Sequence, residues 1–272
     1  MNFTNEFVEQ QIAEILAQMP EINSETCKQL IGFIDLTTLE GSDNVAKVQL
    51  LCKTAYGVEN TVKGIPSVAA VCVYPVLVKT ACDELGDRPI SVAAVAGAFP
   101  SGQSPLELRL AEVRYAVEQG ADEIDMVISR GRFLAGERDF LKEEVKRHKE
   151  ACGKAHLKVI LETGELKDPN FIYEASMIAM EEGADFIKTS TGKIQPAATL
   201  EAAFVMLTAI SDFYKKTGKK IGFKPAGGIS EPADAAKYLH LVQSIAGNEW
   251  VNNHLFRIGA SRLLNNLVES IG

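Results

Sequence analysis

Residues 118–128 read EQGADEIDMVI, and residues 181–188 read EEGADFIK. In both, an acidic helix-type segment stops at a glycine, and Ala-Asp then opens an apolar run. Glycine just past the last helical turn lets the chain leave the helix. A helix-to-strand corner written twice in one chain predicts a repeating βα unit.

Outward from these corners the same rhythm continues. Short runs rich in β-branched residues predict strands at 32–36, 67–74, 90–97, 122–128, 157–162, 184–190, 220–226 and 255–260. Longer stretches rich in Ala, Leu, Glu and Lys predict helices at 42–56, 75–84, 104–119, 137–153, 168–182, 197–217, 231–245 and 261–270. Strands alternating with helices at this spacing predict an α/β fold, a (β/α)8 TIM barrel. The rival is an open doubly wound sheet. GFIDLTTLEG (32–41) lacks the G-x-G-x-x-G of a dinucleotide fold, which favours the barrel. Residues 1–272 are expected to form one domain. Phe7, Ile12, Ile15 and Leu16 recur at helical spacing, so residues 1–30 read as a helical extension that caps the barrel.

The composition narrows the function. Of 272 residues, 46% are hydrophobic and 24% charged, an ordinary globular mix. A net charge of −8 argues against a general affinity for nucleic acid or anionic membrane. No apolar run approaches the ~20 residues a membrane span needs. MNFTNEFVEQQIAEILAQM carries neither a basic n-region nor an apolar block, so no targeting peptide is expected and the location reads as cytoplasmic. Cys27, Cys52, Cys72, Cys82 and Cys152 are scattered and odd in number, which fits free thiols in a reducing compartment. His148, His156, His240 and His254 form no ligand pattern. No metal and no cofactor are expected.

Side chains alternate across a strand. In 122–128, Ile124, Met126 and Ile128 form an apolar face for the outer helices, which turns Glu123, Asp125 and Val127 inward. In 220–224, Ile221 and Phe223 face out while Gly222 and Lys224 face in. Phe186 and Lys188 share a face. If that face is inward, Lys188, Lys224 and Asp125 meet near the C-terminal ends of their strands, where barrel enzymes work. A lysine attacks a carbonyl only as the neutral amine. Burial and a second positive charge both favour that form. The iminium so formed is an electron sink for breaking a C–C bond, and an aspartate can move the hydroxyl proton. Bland readings stand beside these. A lone strand-end lysine is usually solvated or salt-bridged. Asp125 reads equally as a structural partner of either lysine. Cys72 reads as a small core residue, and Asp35 as barrel packing or as a member of a proton network.

Pro225-Ala226-Gly227-Gly228 follows the seventh strand, and Gly259-Ala260-Ser261 follows the eighth and opens the last helix. Barrels often bind phosphate there. Glycine lets backbone amides approach an anion, and a helix N-terminus adds favourable partial charge. Lys193 follows Gly192 in the loop after the sixth strand and either adds charge or is solvated.

Six segments resemble deoxyribose-phosphate aldolases: IDLTTLEG (34–41), VAAVCVYP (68–75), GADEIDMV (120–127), FIKTSTGK (186–193), GFKPAGGI (222–229) and FRIGAS (256–261). The resemblance runs from about residue 30 to 265, and FIKTSTGK with GFKPAGG is its most specific part. It implies a metal-free Schiff-base aldolase of deoxyribonucleoside catabolism, cleaving 2-deoxy-D-ribose 5-phosphate to acetaldehyde and D-glyceraldehyde 3-phosphate. Lys188 would form the imine, Lys224 would perturb its pKa, and Asp125 with a water would assist proton transfer. Asp35 and Cys72 match active-site positions of the family. Thr191, Gly192, Lys193, Gly227, Gly228, Gly259 and Ser261 would bind the substrate and its phosphate. The partner implied is a small sugar phosphate, with a homodimer compatible with the family. Some relatives carry arginine where this chain has Ser230 and serine where it has Arg262, so Arg262 is expected to restore that charge. Some end in a mobile tail with a terminal tyrosine; here the sequence reads Ser270-Ile271-Gly272, so another group is expected to protonate the enamine. The alternatives are another Schiff-base aldolase and a non-catalytic sugar-phosphate-binding barrel.

Overall fold

The computed structural model describes residues 2–60 and 64–271; Gly272, at the tip of the predicted tail difference, lies outside them. Eight parallel strands follow in chain order: β1 Ile34–Thr37, β2 Ala70–Val73, β3 Ser91–Ala96, β4 Glu123–Val127, β5 His156–Ile160, β6 Phe186–Lys188, β7 Gly222–Lys224 and β8 Ile258–Ala260. Each neighbour in the ring is next in sequence, and β8 pairs back onto β1. Bridges between Phe223 and Phe256 and between Ala226 and Gly259 join β7 to β8 and close the barrel.

The helices are α1 Asn5–Leu16, α2 Ser24–Ile31, α3 Val45–Gly57, α4 Val78–Leu85, α5 Leu106–Glu118, α6 Arg130–Leu134, α7 Arg138–Cys152, α8 Thr163–Leu166, α9 Pro169–Glu181, α10 Leu200–Thr217, α11 Pro232–Ile245 and α12 Leu263–Ile271. Their starts follow from the sequence. Thr199 caps α10 by accepting from the Ala202 amide, and Asp168 caps α9 ahead of Pro169. Short α6 and α8 were not anticipated. They sit in the loops after β4 and β5, where the sequence predicts only connectors.

The duplicated corner is one device used twice. After α5, Gly120 adopts φ +106° and the Ala121 amide bonds back to the Ala116 carbonyl at 3.1 Å. After α9, Gly183 adopts φ +100° and Ala184 bonds to Ala179 at 3.0 Å. These six-to-one bonds close off helix-end carbonyls. The aspartates then reach sideways. Asp122 accepts from the Val92 amide of β3 at 2.8 Å, and Asp185 from the Leu157 amide of β5 at 2.7 Å. Each corner therefore ends a helix and also pins the start of the neighbouring strand.

Most of the apolar core lies between strands and helices. Ile124, Met126 and Ile128 of the β4 segment belong to it, as do Ile187 and Phe223. A separate small cluster of Leu39, Cys72, Ala93 and Val95 sits with Tyr74 and Phe99. Of the N-terminal segment, α2 packs on α12 and α11 and leads into β1, while α1 does not sit over a barrel end. α1 packs along the outer wall against α10 and α11, from Phe3 bonded to Asn170 at the start of α9 to Ile15 bonded to His240 late in α11. Buried Val8 and Ile12 make its inner stripe, which seats it between two helices. Among the described residues no helix is long and apolar enough to cross a membrane.

Candidate active site

The parallel register sets Lys188 of β6 directly beside Lys224 of β7 and beside Ile160 of β5. β4 contributes Asp125 to the same interior. Its carboxylate oxygen Oδ2 accepts from Lys188 Nζ at 2.7 Å and from Lys224 Nζ at 2.7 Å. Its other oxygen accepts from Lys158 Nζ of β5 at 3.0 Å. Lys224 also pairs with Asp35, and Lys158 with Glu123. Arg257 completes the ring, bonding Asp35 Oδ1 at 2.7 Å and Glu123 Oε1 at 2.8 Å. Four basic side chains (Lys158, Lys188, Lys224, Arg257) thus share a buried interior with three carboxylates (Asp35, Glu123, Asp125).

The balance of charge shapes the proton affinity of each amine. With every group ionised the interior holds one surplus positive charge, and removing one proton makes it neutral. Burial costs any ion heavily unless partners compensate. Lys224 is compensated: against the pull of burial, Asp125 and Asp35 hold its pKa above the usual lysine range. Against the same pull, Asp125 and Glu123 raise Lys158, and Asp35 and Glu123 raise Arg257. Lys188 differs. Burial lowers its pKa and Lys224 adds to the lowering, while Asp125 alone opposes them strongly. Lys188 is thus the interior amine whose proton affinity is lowered, while those of Lys158 and Lys224 are raised. Asp125, despite burial, stays well below the ordinary carboxylate range because of Lys158, Lys188 and Lys224.

A cavity of about 670 Å³ opens over Lys188 at the C-terminal end of the barrel. Of the residues expected at the site, Lys188, Thr191, Gly192, Lys193, Gly227, Gly228, Gly259 and Ser261 line it. Asp35, Cys72, Asp125 and Lys224 do not; all four are fully buried beneath it. Burial pushes the Cys72 thiol up to about 11, so it is a neutral neighbour of the two lysines. Ser230 and Arg262 line the cavity too. Two loops meet at its wall. Gly227 has φ +85°, and a Cβ there would stand 2.8 Å from the Gly192 Cα and 2.7 Å from the Ala197 Cβ. Only glycine permits that approach, which sets the β6 and β7 loops side by side.

Sequence reasoning missed several members. Lys158 and Arg257 carry half of the interior's positive groups, and alternation in LKVIL and FRIGA points both inward opposite apolar partners. Glu123 was placed inward but given no role. Thr37, Thr38, Glu40 and Lys47, from the β1 loop and α3, line the cavity and were not singled out. Glu40 pairs with Lys193 at 3.0 Å across the mouth, so Lys193 is neither free nor buried. Glu162 at the end of β5 was also missed. It is fully buried, and its carboxylate accepts from the Thr191 hydroxyl at 2.5 Å. Among the described residues no group of three or more His, Cys, Asp or Glu side chains could hold a metal ion.

Comparison with known proteins points the same way. The model of the DeoC/LacD family aldolases matches residues 30–267. The deoxyribose-phosphate aldolase of Homo sapiens is 50% identical over 252 residues, covering 89% of this chain and 79% of that one. A solved structure of a candidate deoxyribose-phosphate aldolase from Toxoplasma gondii superposes with a TM-score of 0.80 at 25% identity, covering 91% of this chain and 94% of that one. The tetrameric deoxyribose phosphate aldolase of Aeropyrum pernix, 24% identical, shares the fold with a TM-score of 0.64 over 98% of each chain.

Proposed function

The chain belongs to the DeoC/LacD aldolase family, and from that premise and the site's chemistry we propose how it acts on its sugar phosphate. It is a Schiff-base aldolase that reversibly cleaves 2-deoxy-D-ribose 5-phosphate to acetaldehyde and D-glyceraldehyde 3-phosphate, a step of deoxyribonucleoside catabolism. The observation that carries the mechanism is the contrast between Lys188 and Lys224. Both touch the same Asp125 oxygen at 2.7 Å, yet only Lys188 has a lowered pKa and only Lys188 reaches the cavity.

Neutral Lys188 adds to the C1 aldehyde of the open-chain sugar, and loss of water gives the iminium. Electrons of the C2–C3 bond flow into it and leave an enamine. The C3 hydroxyl gives up its proton as it becomes the aldehyde of glyceraldehyde 3-phosphate. Asp125 accepts that proton through a water. Its basicity is low while Lys158, Lys224 and the Lys188 nitrogen all bear charge, and it rises as bond cleavage turns the cationic iminium into a neutral enamine. Lys224 keeps its proton throughout and depresses the affinity of its neighbour for one. Protonation at C2 and hydrolysis then release acetaldehyde and restore Lys188. Asp35 and Arg257 hold Lys224 and the network in place. Gly192, Lys193, Gly227, Gly228, Gly259 and Ser261 form the phosphate end, with Arg262 supplying the charge absent at Ser230. The expected location is the cytoplasm and the expected assembly a homodimer, which sedimentation at several concentrations checks.

Borohydride reduction in the presence of deoxyribose 5-phosphate, followed by peptide mapping, tests the mechanism. A reduced adduct on Lys188 is expected. An adduct on Lys224 reverses the two roles, and no adduct on folded protein transfers the site to non-catalytic sugar-phosphate binding.

A further inference from the structure

Just past β5, the pairing with the β6 segment is irregular. The Leu161 amide bonds to the Lys188 carbonyl at 3.0 Å, and the Thr163 amide bonds to the very next carbonyl, Thr189, at 2.9 Å. Two residues on one side thus oppose one on the other, which leaves Glu162 as the extra residue of a bulge. It takes the left-handed conformation, φ +56° and ψ +59°, uncommon for any residue but glycine. Bulges beside active sites re-aim a side chain. Here the glutamate turns into the protein and is fully buried.

Its partner is the loop that follows Lys188. Glu162 Oε2 accepts from the Thr191 hydroxyl at 2.5 Å, and Oε1 accepts from the Thr191 amide at 3.2 Å. The same hydroxyl oxygen accepts from the Lys193 amide at 3.1 Å, spanning Gly192 at φ +76°. A hydroxyl bonded to the amide two residues on makes a tight side-chain turn. The carboxylate takes the hydroxyl's hydrogen and so leaves a lone pair for Lys193. Burial raises the pKa of Glu162, with Arg130 and Glu165 the charged groups nearby.

We infer that Glu162 is a positioning residue, which through the Thr191 hydroxyl fixes the turn that presents Gly192 and Lys193 to the substrate's phosphate. Glu162 does not line the cavity and so acts only through that turn. This rests on the phosphate-site reading given above. A residue that only supported the fold would lower the stability without distinguishing phosphorylated from unphosphorylated substrate.

The test compares Glu162→Ala, Glu162→Gln, Thr191→Val and the Glu162→Ala/Thr191→Val double variant on deoxyribose 5-phosphate and on unphosphorylated 2-deoxyribose. Glu162→Ala should raise KM for the phosphorylated sugar about tenfold, as loss of a charge-assisted hydrogen bond does, with kcat little changed. Its kcat/KM for 2-deoxyribose should match the wild type. Glu162→Gln, which keeps an acceptor for the hydroxyl, should stay within about threefold of wild type. Thr191→Val, whose side chain also lines the cavity, should lose more on the phosphorylated sugar than on 2-deoxyribose, and the double variant should be no worse than the worse single one. Calorimetric titration with inorganic phosphate should show the same weakening in Glu162→Ala without any turnover. If wild type neither cleaves the sugar nor forms an imine, the aldolase reading fails, while weaker phosphate binding in Glu162→Ala still upholds the positioning role. Equal losses on both sugars, unchanged phosphate affinity, or a Gln variant as poor as Ala overturns it. Should Glu162→Ala not fold, Thr191→Val decides by the same criteria.

Discussion

Below the cavity floor every charged side chain inside the barrel touches one of opposite sign, in a ring running Lys188, Asp125, Lys224, Asp35, Arg257, Glu123, Lys158 and back to Asp125. Above the floor, Lys193 and Arg262 stand exposed at the mouth, Lys193 paired only with Glu40 and Arg262 in no ion pair among the described residues. The two regions contain similar residue types and use them for different ends. In the buried interior, charges act on one another with less screening than in water, and their balance lowers the proton affinity of one amine. At the wet mouth the same charges are screened and weak, which suits them to hold a substrate that must leave.

The largest effects should come from breaking the interior. Lys188→Met should abolish borohydride trapping and cut turnover by about four orders of magnitude or more, since no other interior amine has a lowered pKa. Lys224→Met should cost about 10²–10³-fold in kcat/KM near neutral pH, the scale of one lost electrostatic group. Its signature is a direction of shift. The acid limb of kcat/KM marks the pH at which Lys188 loses its proton. Lys224 lowers that pKa in the wild type, so its removal raises the pKa and moves the limb to higher pH. Counting charge agrees: without Lys224, a protonated Lys188 exactly offsets the third carboxylate. Lys158→Met changes the count equally but acts from farther away, through Asp125, so its limb should move less. A pH–rate series on both variants checks the order, and equal shifts would mean that total charge outweighs contact. Thermal melts should accompany it, since removing one partner of a buried pair costs about 3–5 kcal/mol.

Much of this contrast was legible beforehand, because a strand's alternation is local. Ile124, Met126 and Ile128 against Glu123 and Asp125 gave the inner and outer faces of β4, and the same rule gave Lys224. It applied equally to Lys158 and Arg257, but a lone cation in an apolar run reads as solvated until its partners are known. Those partners lie far off in sequence. Asp35 and Arg257 meet only because β8 closes on β1. The bulge at Glu162 was illegible for another reason. Nothing in LETGEL announces a left-handed glutamate, since the irregularity arises from two strands' mismatch. The path of α1 was likewise unreadable, because a helical stripe says that one face is covered and not by what.

The mouth supplies the smallest effect and the cleanest contrast. Arg262 lines the cavity beside Ser230 and Ser261, and it is exposed. A contact in that setting is worth about 0.2–1 kcal/mol, so Arg262→Ala should raise KM for deoxyribose 5-phosphate by only about two- to fivefold. kcat should not change, because the phosphate end is bound alike in ground and transition states. Sodium chloride should weaken wild-type KM by screening the same charge, and the variant should respond less. The acid limb of kcat/KM should stay put in both, because Lys188 answers to the buried ring rather than to the mouth. An unchanged KM in Arg262→Ala removes that residue from the phosphate site. A limb that moves with salt would show that water and ions reach the interior charges, and the division between buried ring and wet mouth would fall with it.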